Sequence, residues 1–326
     1  MTYNKIAKSA HVSLSTVSKA LSGSKEISED LAKKIIDIAI EQGYFENKHK
    51  RKIQYTKNKA LTIAIICPEI ISFAYARDIT AIKNEIDSRD GLTSIYVYDF
   101  SIEKLNQIIK TITVRNCADG IILFPIYDEF TRTSIPMVAI SQNTSDIDSV
   151  FYDMYSCFDD IIGYLKSLGH KDIAFVGETY TMSKFYAYNN SLKKFGLPFK
   201  EDNVYIINER FEQIGYHAVE QMLKKRHLPT AVICAYDEIA LAMIHSLSAH
   251  NIKIPQQISI VGINDIPASE YAQVPLTTVR IFQEEQGEIA INLLYDKIFN
   301  GSKNIQHITV NHELIKRNST DKCLRL

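Results

Sequence analysis

From Leu61 onward, short apolar runs rich in β-branched residues alternate with stretches of helical periodicity, and this alternation occurs twice. The first series contains LTIAIIC, TSIYVY, ADGIILF and PMVAI, and the second contains DIAFVG, NVYII, TAVICA and ISIVGI. Continuously apolar strands separated by helices predict parallel sheets covered on both faces. The sequence therefore predicts an α/β body of two doubly wound parallel-sheet lobes. Such folds bind ligands beyond the carboxyl ends of their strands, here in a cleft between the lobes.

The first 45 residues follow a different pattern, that of three short amphipathic helices. Ile6, Ala7 and Ala10 share one side of the first helix, and the second repeats Leu14, Val17 and Leu21 at helical spacing. Ser13 and Ser28 are placed to cap the second and third helices. The third helix carries its apolar stripe at Leu31, Ile35, Ile38 and Ala39 and should end at Gly43. This segment predicts a small all-α headpiece of the helix-turn-helix kind.

Charge is distributed unevenly along the chain. Residues 1–60 contain 12 Lys and Arg against 6 Asp and Glu, whereas the remainder contains 25 against 32. A basic head on an acidic body predicts a polyanionic partner for the head alone. Residues 46–59 hold six of the cations and almost no apolar side chain, which predicts a linker.

Several classes of protein are disfavoured. The five widely spaced cysteines indicate reduced thiols and a cytoplasmic location, and no run of the length of a signal peptide or a membrane span occurs. Nucleophile-elbow, phosphate-loop and metal-ligand spacings are absent. The sequence therefore predicts neither an enzyme nor a cofactor.

Several stretches together resemble one known family. VSLSTVSKALSGSKEISEDLAKKIIDIAIEQGY, SLGHKDIAFVG and IPQQISIVGINDIPASEYAQVPLTTVRI occur in the order in which the lactose-repressor (LacI/GalR) family of bacterial transcription regulators has its motifs. The resemblance covers residues 2–317. It implies a DNA-binding headpiece joined to a periplasmic-binding-protein-like body, and a homodimer that binds a pseudo-palindromic double-stranded operator.

The resemblance implies which headpiece residues contact DNA. It assigns base-edge or nearby contacts to Leu14, Ser15 and Lys19. It assigns phosphate contacts or capping to Thr2, Ser13, Thr16, Ser18 and Ser22. Lys19 and Ser22 stand where the family usually has Arg and Asn, and Lys lacks the bidentate fork that suits guanine. The preferred operator therefore need not be a common family operator.

The linker departs most from the family pattern. In the family a hinge helix wedges a Leu into the minor groove, and alignment of Asn47 and Arg51 puts Ile53 at that position. Glu46 and Lys50 replace the family's Pro and Ala. We therefore expect a hinge that orders less readily and relies on phosphate contacts from cations of the linker: Lys48, Lys50, Arg51 and Lys52.

The resemblance also implies an effector site, for a sugar or a related molecule. Lys184 replaces the family's sugar-binding Arg, AYDE replaces A-N-D at Tyr236 and Asp237, and GIND replaces G-F-D-D at Asn264 and Asp265. Ser141 replaces an Asp after the fourth strand, and Tyr75 or Tyr236 offers a ring for stacking. Asp237 and Asp265 have an alternative role as a helix cap and a turn residue.

The implied domains are a headpiece (1–45), a basic hinge (46–59), a ligand-binding and dimerisation body (60–318) and a tail (319–326). Within the body, the N-lobe takes about 60–151 and 282–302, and the C-lobe about 152–281 and 303–318. The predicted function is a transcription regulator, most often a repressor in this family, controlled by a small ligand. The alternatives are a family regulator controlled by a phosphorylated carrier protein, a sugar-binding protein and a sugar-processing enzyme.

Overall fold

The computed structural model describes residues 3–24, 26–45, 60–127, 129–225 and 227–324. They form two compact units. The first contains the described residues of 1–71, 75–151 and 283–308, and the second those of 72–74, 152–282 and 309–326. The predicted class, a helical N-terminal region followed by an α/β body with parallel sheets, is confirmed.

The elements follow one another in a regular order. The helices are α1 Tyr3–Ala10, α2 Leu14–Ser22, α3 Glu29–Glu41, α4 Phe73–Asp87, α5 Ile102–Arg115, α6 Met154–Ser167, α7 Met182–Lys194, α8 Glu212–Leu223, α9 Asp237–Ala249, α10 Pro267–Tyr271 and α11 Gln283–Asn300. The strands are β1 Thr62–Cys67, β2 Leu92–Val97, β3 Gly120–Leu123, β4 Met137–Ile140, β5 Asp148–Tyr152, β6 Ile173–Gly177, β7 Val204–Ile206, β8 Ala231–Cys234, β9 Ser259–Ile263, β10 Thr277–Ile281, β11 His307–Val310 and β12 His312–Ile315.

The headpiece consists of α1, α2 and α3 around a miniature core. Its buried side chains are Ile6, Ala7, Ala10, Val17, Ala20, Ile35, Ala39 and Phe45. Ser13 and Ser28 accept hydrogen bonds from the backbone N–H groups of Thr16 and Leu31, so both predicted caps are confirmed. Leu14 does not join the core as its spacing suggested, because Val17 and Ala20 form the buried face of α2.

The headpiece also packs on the α/β part of the first unit. Val114 of α5 contacts the headpiece core, and Lys110 Nζ lies 2.6 Å from the Asp37 carboxylate of α3. α3 is therefore the headpiece helix that pairs with the α/β part of the first unit, while the polar side chains of α2 point to solvent. The sequence analysis did not predict this contact, because a local pattern does not show which distant segments pack together.

Each unit contains one six-stranded sheet with the same order of strands. The first sheet runs β11-β5-β4-β3-β1-β2 and the second β12-β10-β9-β8-β6-β7. The five consecutive strands β1 to β5, and likewise β6 to β10, are joined by parallel pairings, and β12 pairs antiparallel with β10. The order reverses between β1 and β3 and again between β6 and β8. In open α/β sheets, the carboxyl ends of the strands at this reversal form a natural ligand crevice.

Two domain limits differ from the sequence prediction. β11 lies in the first sheet, so residues 303–308 belong to the first unit and not to the C-lobe. Ser319 is fully buried in the second unit, where its hydroxyl donates to the Ile260 carbonyl at 2.6 Å. Residues 319–323 therefore pack on the second unit and do not form a separate tail; the Asp321 and Cys323 N–H groups donate to Ser259 and to the Leu168 carbonyl.

α4 of the first unit carries a buried carboxyl group, Asp78. Its Oδ1 has no hydrogen-bond partner among the described residues. Burial raises the pKa of Asp78 to about 8; nearby Arg77 acts in the opposite direction, and Glu284 acts in the same direction. Asp78 is therefore largely protonated at neutral pH.

We expect Asp78→Asn to stabilise the protein increasingly as pH rises. A carboxyl group whose pKa is raised in the folded state loses stability between its unfolded pKa and its folded pKa, here from about pH 4 to about pH 8. Relative to wild type, the variant should gain up to about 1.4 kcal/mol per pH unit across this window. Urea unfolding at several pH values measures the difference. The control Asp90→Asn changes an exposed acid and should show no such pH-dependent gain in stability. A pH-independent difference for Asp78→Asn would contradict the prediction.

Candidate functional site

The exposed face of α2 carries the predicted DNA-contacting residues that the structure describes. The Ser13 hydroxyl accepts from the Thr16 N–H at 3.1 Å and lies 2.8 Å from the Thr16 hydroxyl. Leu14 is 48% exposed, so its apolar surface is accessible on this face. The small hydroxyl side chains Ser15, Ser18 and Ser22 are also exposed.

Lys19 is the single charged residue of α2, and it has an acidic neighbour that the sequence analysis did not identify. Lys19 Nζ lies 2.5 Å from Glu26 Oε2, with 43% and 67% of the two side chains exposed. Glu26 follows the turn at Gly23, whose left-handed backbone (φ 72°) returns the chain toward α2. Lys19 and Glu26 are seven residues apart, but the turn at Gly23 lies between them. Helical spacing therefore does not predict that the two side chains meet.

Other predicted DNA contacts lie outside the described residues. They are Thr2 at the N-terminus and, in the linker, Asn47, Lys48, Lys50, Arg51, Lys52 and Ile53. Their roles remain predictions.

A polar cluster occupies the strand-order reversal of the second sheet. Glu178 directly follows β6, and Tyr236 lies between β8 and α9. Lys184, in the first turn of α7, donates from Nζ to the Ala235 carbonyl at 2.6 Å. The structure thus brings together two predicted site residues, Lys184 and Tyr236, with Glu178, which the sequence analysis did not single out.

Lys184 is a half-buried cation with no carboxylate within ion-pair distance among the described residues. Burial lowers its pKa, which the more distant negative groups Glu238 and Glu178 partly offset. An ammonium group has three protons to donate. The backbone carbonyl of Ala235 accepts one, which leaves donor capacity for a ligand.

Glu178, Arg210, Tyr236 and Phe211 form a continuous hydrogen-bonded network. Arg210 Nη1 donates to both Glu178 oxygens at 3.0 and 3.1 Å, and the Tyr236 hydroxyl donates to Glu178 Oε1 at 3.0 Å. The Phe211 N–H donates to the Tyr236 hydroxyl at 3.1 Å. Burial raises the pKa of Glu178, and Arg210 opposes the shift. Burial also raises the pKa of Tyr236, which therefore stays a neutral donor.

This network holds Phe211 in a rare backbone conformation, φ 56° and ψ −131°. A bulky residue at positive φ costs of order 1–3 kcal/mol and persists only where its surroundings determine it. The Arg210 guanidinium lies 4.8 Å from the centre of the Phe211 ring, and the Tyr236 ring lies 6.2 Å away, edge-on. Tyr236 is itself buried, so the half-buried Phe211 ring is the more accessible aromatic surface for a ligand.

Asp237 has a structural role, but the predicted role as a helix cap is wrong, because Tyr236 holds the N-cap position and Asp237 is the first residue of α9. Its buried carboxylate accepts from the Ile266 N–H at 2.9 Å, the Ser269 hydroxyl at 2.8 Å and the Thr278 hydroxyl at 2.5 Å. A Cβ on Gly262 would lie 2.1 Å from Asp237 Oδ1, so only glycine admits this side chain. Burial raises the pKa of Asp237 to about 6, and the three hydrogen bonds oppose the shift.

Asp265 is likewise engaged within the protein. Its carboxylate lies 2.7 Å from Arg280 Nη2 and 2.8 Å from Arg317 Nη2. The preceding Asn264 has φ 113°, and its N–H donates to the Val279 carbonyl. Asn264 thus remains a half-buried polar side chain at the carboxyl end of β9, on a strained backbone, while Asp265 anchors two arginines.

The two candidates of the first unit also follow strand ends. Tyr75, in the first turn of α4, packs edge-on against Phe124, which follows β3, with ring centres 5.7 Å apart. Ser141 follows β4 with φ 67°, and its N–H donates to the Val150 carbonyl at 2.9 Å. Both are half-buried and lie at the carboxyl edge of their sheet.

Comparison with known protein families matches two successive parts of the chain. Residues 2–47 match the bacterial regulatory proteins of the lacI family, and residues 162–320 match a periplasmic binding protein-like domain. The chain belongs to the LacI family. This confirms the resemblance that the sequence motifs indicated.

Full-length relatives and solved structures agree with this LacI-family membership. The transcriptional regulator RegA of Clostridium saccharobutylicum is 26% identical over 97% of this chain and 98% of that protein. The transcriptional repressor PurR of Photorhabdus laumondii is 27% identical over 98% and 96%. The lac repressor dimer bound to operator and the anti-inducer ONPF has a TM-score of 0.73 at 19% identity, covering 98% of this chain and 99% of that chain, which shows the shared fold.

None of the described helices is long and apolar enough to cross a bilayer. Within the described ranges, no group of three or more His, Cys, Asp and Glu side chains is arranged to hold a metal ion.

We expect Asp237→Ala to cost about 3–5 kcal/mol of stability. The change leaves three buried donors without an acceptor and opens a cavity beside Gly262. Urea unfolding followed by circular dichroism measures the loss. Glu270→Ala removes an exposed acid nearby and should change stability by less than about 0.5 kcal/mol. Equal effects for the two variants would contradict the structural role of Asp237.

Proposed function

We propose that this protein is a cytoplasmic, sequence-specific repressor whose binding to operator DNA responds to a small ligand. The observation that carries the proposal is the exposed polar face of α2, in a capped helix of a lacI-type headpiece that continues into two doubly wound units. An exposed leucine, small hydroxyls and one long cation suit the edges of bases in a major groove.

The proposed contacts divide into two groups. Leu14, Ser15 and Lys19 approach base edges, and Ser13, Thr16, Ser18 and Ser22 contact phosphates or cap the helix. The linker cations Lys48, Lys50 and Arg51, with Thr2 and Asn47, add phosphate contacts, and Ile53 acts as the minor-groove wedge. Phosphate contacts position the protein, whereas base contacts select the sequence.

One headpiece reads one half-site, so the proposed DNA-binding form is a two-fold dimer. Two recognition helices on one side of a duplex fit half-sites about 34–36 Å apart, which makes the operator a pseudo-palindrome. The structural neighbour that was solved as a lac repressor dimer bound to operator supports this arrangement.

The proposed ligand is a polyhydroxylated molecule such as a sugar. Each sugar hydroxyl both donates and accepts, and the site offers a donor at Lys184, a half-buried polar side chain at Asn264 and an aromatic surface at Phe211. Tyr75 and Ser141 are the separate candidates of the first unit, at the carboxyl edge of its own sheet. A regulator of this family from Enterococcus faecium was solved with bound ribose, at a TM-score of 0.70 and 24% identity, covering 80% of this chain and 99% of that chain.

Two alternatives receive less support. The relatives are transcription regulators, so the proposal includes no catalytic step. Control by a phosphorylated carrier protein, motivated by the altered ligand motifs, receives no support from the comparisons or from the geometry of the site.

We expect Lys19→Met to weaken operator binding about tenfold and to reduce discrimination against other sequences, because a base contact is worth about 1–3 kcal/mol. The operator is the duplex that the full-length protein selects from a randomised pool, and the reference is a scrambled duplex of equal length. Fluorescence anisotropy measures both affinities.

Lys8→Met provides the matched control, since it removes one exposed cation from α1. It should weaken binding to both duplexes alike. If the wild type bound both duplexes equally, the proposal of sequence-specific binding would be wrong.

We expect Lys184→Met to weaken ligand binding at least tenfold without lowering the stability of the unliganded protein, because the change removes a half-buried charge that lacks a carboxylate partner. A panel of neutral monosaccharides, uronic acids and sugar phosphates is screened by thermal shift, and hits are measured by calorimetry. Lys193→Met, at an exposed residue of the same helix, should leave affinity unchanged. Equal affinity of the wild type and Lys184→Met would remove Lys184 from the site.

A further inference from the structure

The ion pair between Lys19 and Glu26 lies on the side of the headpiece that the proposed function places against DNA. Glu26 is reached through a tight turn, in which the Gly23 N–H bonds to the Ala20 carbonyl and the Ser24 N–H to the Lys19 carbonyl. The Ser24 hydroxyl accepts from the Glu26 N–H at 3.3 Å. These bonds fix the backbone that carries the carboxylate, so its place beside Lys19 follows from the turn.

Fold stability does not account for this pair. Both side chains are substantially exposed, and exposed ion pairs contribute little to folding. The hydrogen bond and charge of Lys19 lower the pKa of Glu26, which keeps the carboxylate ionised at neutral pH. The consequence of the pair is therefore electrostatic: α2, with Lys19 as its single charged residue, has no uncompensated cation on its exposed face.

Neutralisation affects phosphate and base contacts differently. A free ammonium on a long stem gains from any nearby phosphate, whatever the sequence. A paired ammonium loses most of this attraction, but two of its three N–H donors remain for acceptors on a base edge. Because Glu26 already restrains the Lys19 side chain, less rotamer entropy is lost when that contact forms.

We propose that Glu26 is a specificity-determining positioning residue: it holds Lys19 as a directed donor to one base edge and suppresses its use as a general phosphate contact. The inference rests on the proposed DNA-binding function. The pair persists in the operator complex, where Glu26 touches Lys19 and not the DNA.

The test measures Glu26→Gln in the full-length protein against the selected operator and the scrambled duplex, at several salt concentrations. The variant should bind the scrambled duplex about 3–10-fold more tightly and the operator within about 2-fold of wild type, so discrimination falls. One additional phosphate contact should steepen the salt dependence of binding to the scrambled duplex by about 0.9 in log–log slope.

Two further variants distinguish positioning from a general loss of negative charge. Asp30→Asn removes an exposed acid of α3 that forms no ion pair among the described residues, and it should change both affinities by the same factor. In a Lys19→Met background, Glu26→Gln should leave discrimination unchanged, because Glu26 acts through Lys19.

Three results would overturn the inference: unchanged discrimination in Glu26→Gln, increased discrimination, or the same loss in the Lys19→Met background. Failure of the proposed function is distinct, because the wild type itself would then show no preference for any duplex from the pool. Circular dichroism of each variant verifies that the headpiece remains helical.

Discussion

The carboxyl edge of the second sheet depends on one buried carboxylate, that of Asp237. From the first position of α9, it accepts hydrogen bonds from Ile266 in the loop after β9, Ser269 on α10 and Thr278 on β10. Gly262 must lack a side chain for this carboxylate to enter. Because Asp237 fixes the start of α9, it also fixes Tyr236, the residue before it. Tyr236 in turn carries the network that holds Glu178, Arg210 and Phe211.

Asp237 and Tyr236 are neighbours in one motif but have different roles. Asp237 turns inward and uses its acceptors on the protein, whereas Tyr236 reaches Glu178 at the reversal of strand order. A tyrosine hydroxyl both donates and accepts, so it can link the Glu178 carboxylate to the strained Phe211 amide in one step. Tyr236, which stands where the family has Asn, therefore holds a different set of side chains in place, Glu178 and Phe211.

The sequence predicted what depends on local pattern. Alternating apolar strands and helices gave the class of fold, and Ser13 and Ser28 were identified as caps because capping depends on the residue and its immediate neighbours. The pairing of Arg210 with Glu178 joins residues 32 positions apart, and neither position has a distinguishing neighbour in sequence. The placement of β11 in the first sheet was missed for the same reason, because only strand pairing decides it. Leu14 was assigned both to a core stripe and to the exposed face, and packing of Val17 and Ala20 decided between them.

In the proposed binding to DNA, the paired Lys19 of α2 and the other cations of the N-terminal region have different roles. Residues 1–60 carry twice as many cations as acids, yet α2 contains one cation and that one is paired. Cations elsewhere in this region supply long-range attraction that does not depend on sequence and weakens with salt. In the proposed function, a recognition helix with little net charge adds little to that attraction, and its hydroxyls, Leu14 and the paired Lys19 select the duplex. An additional free cation on α2 would strengthen binding to every duplex and thereby reduce the fraction of repressor held at its operator.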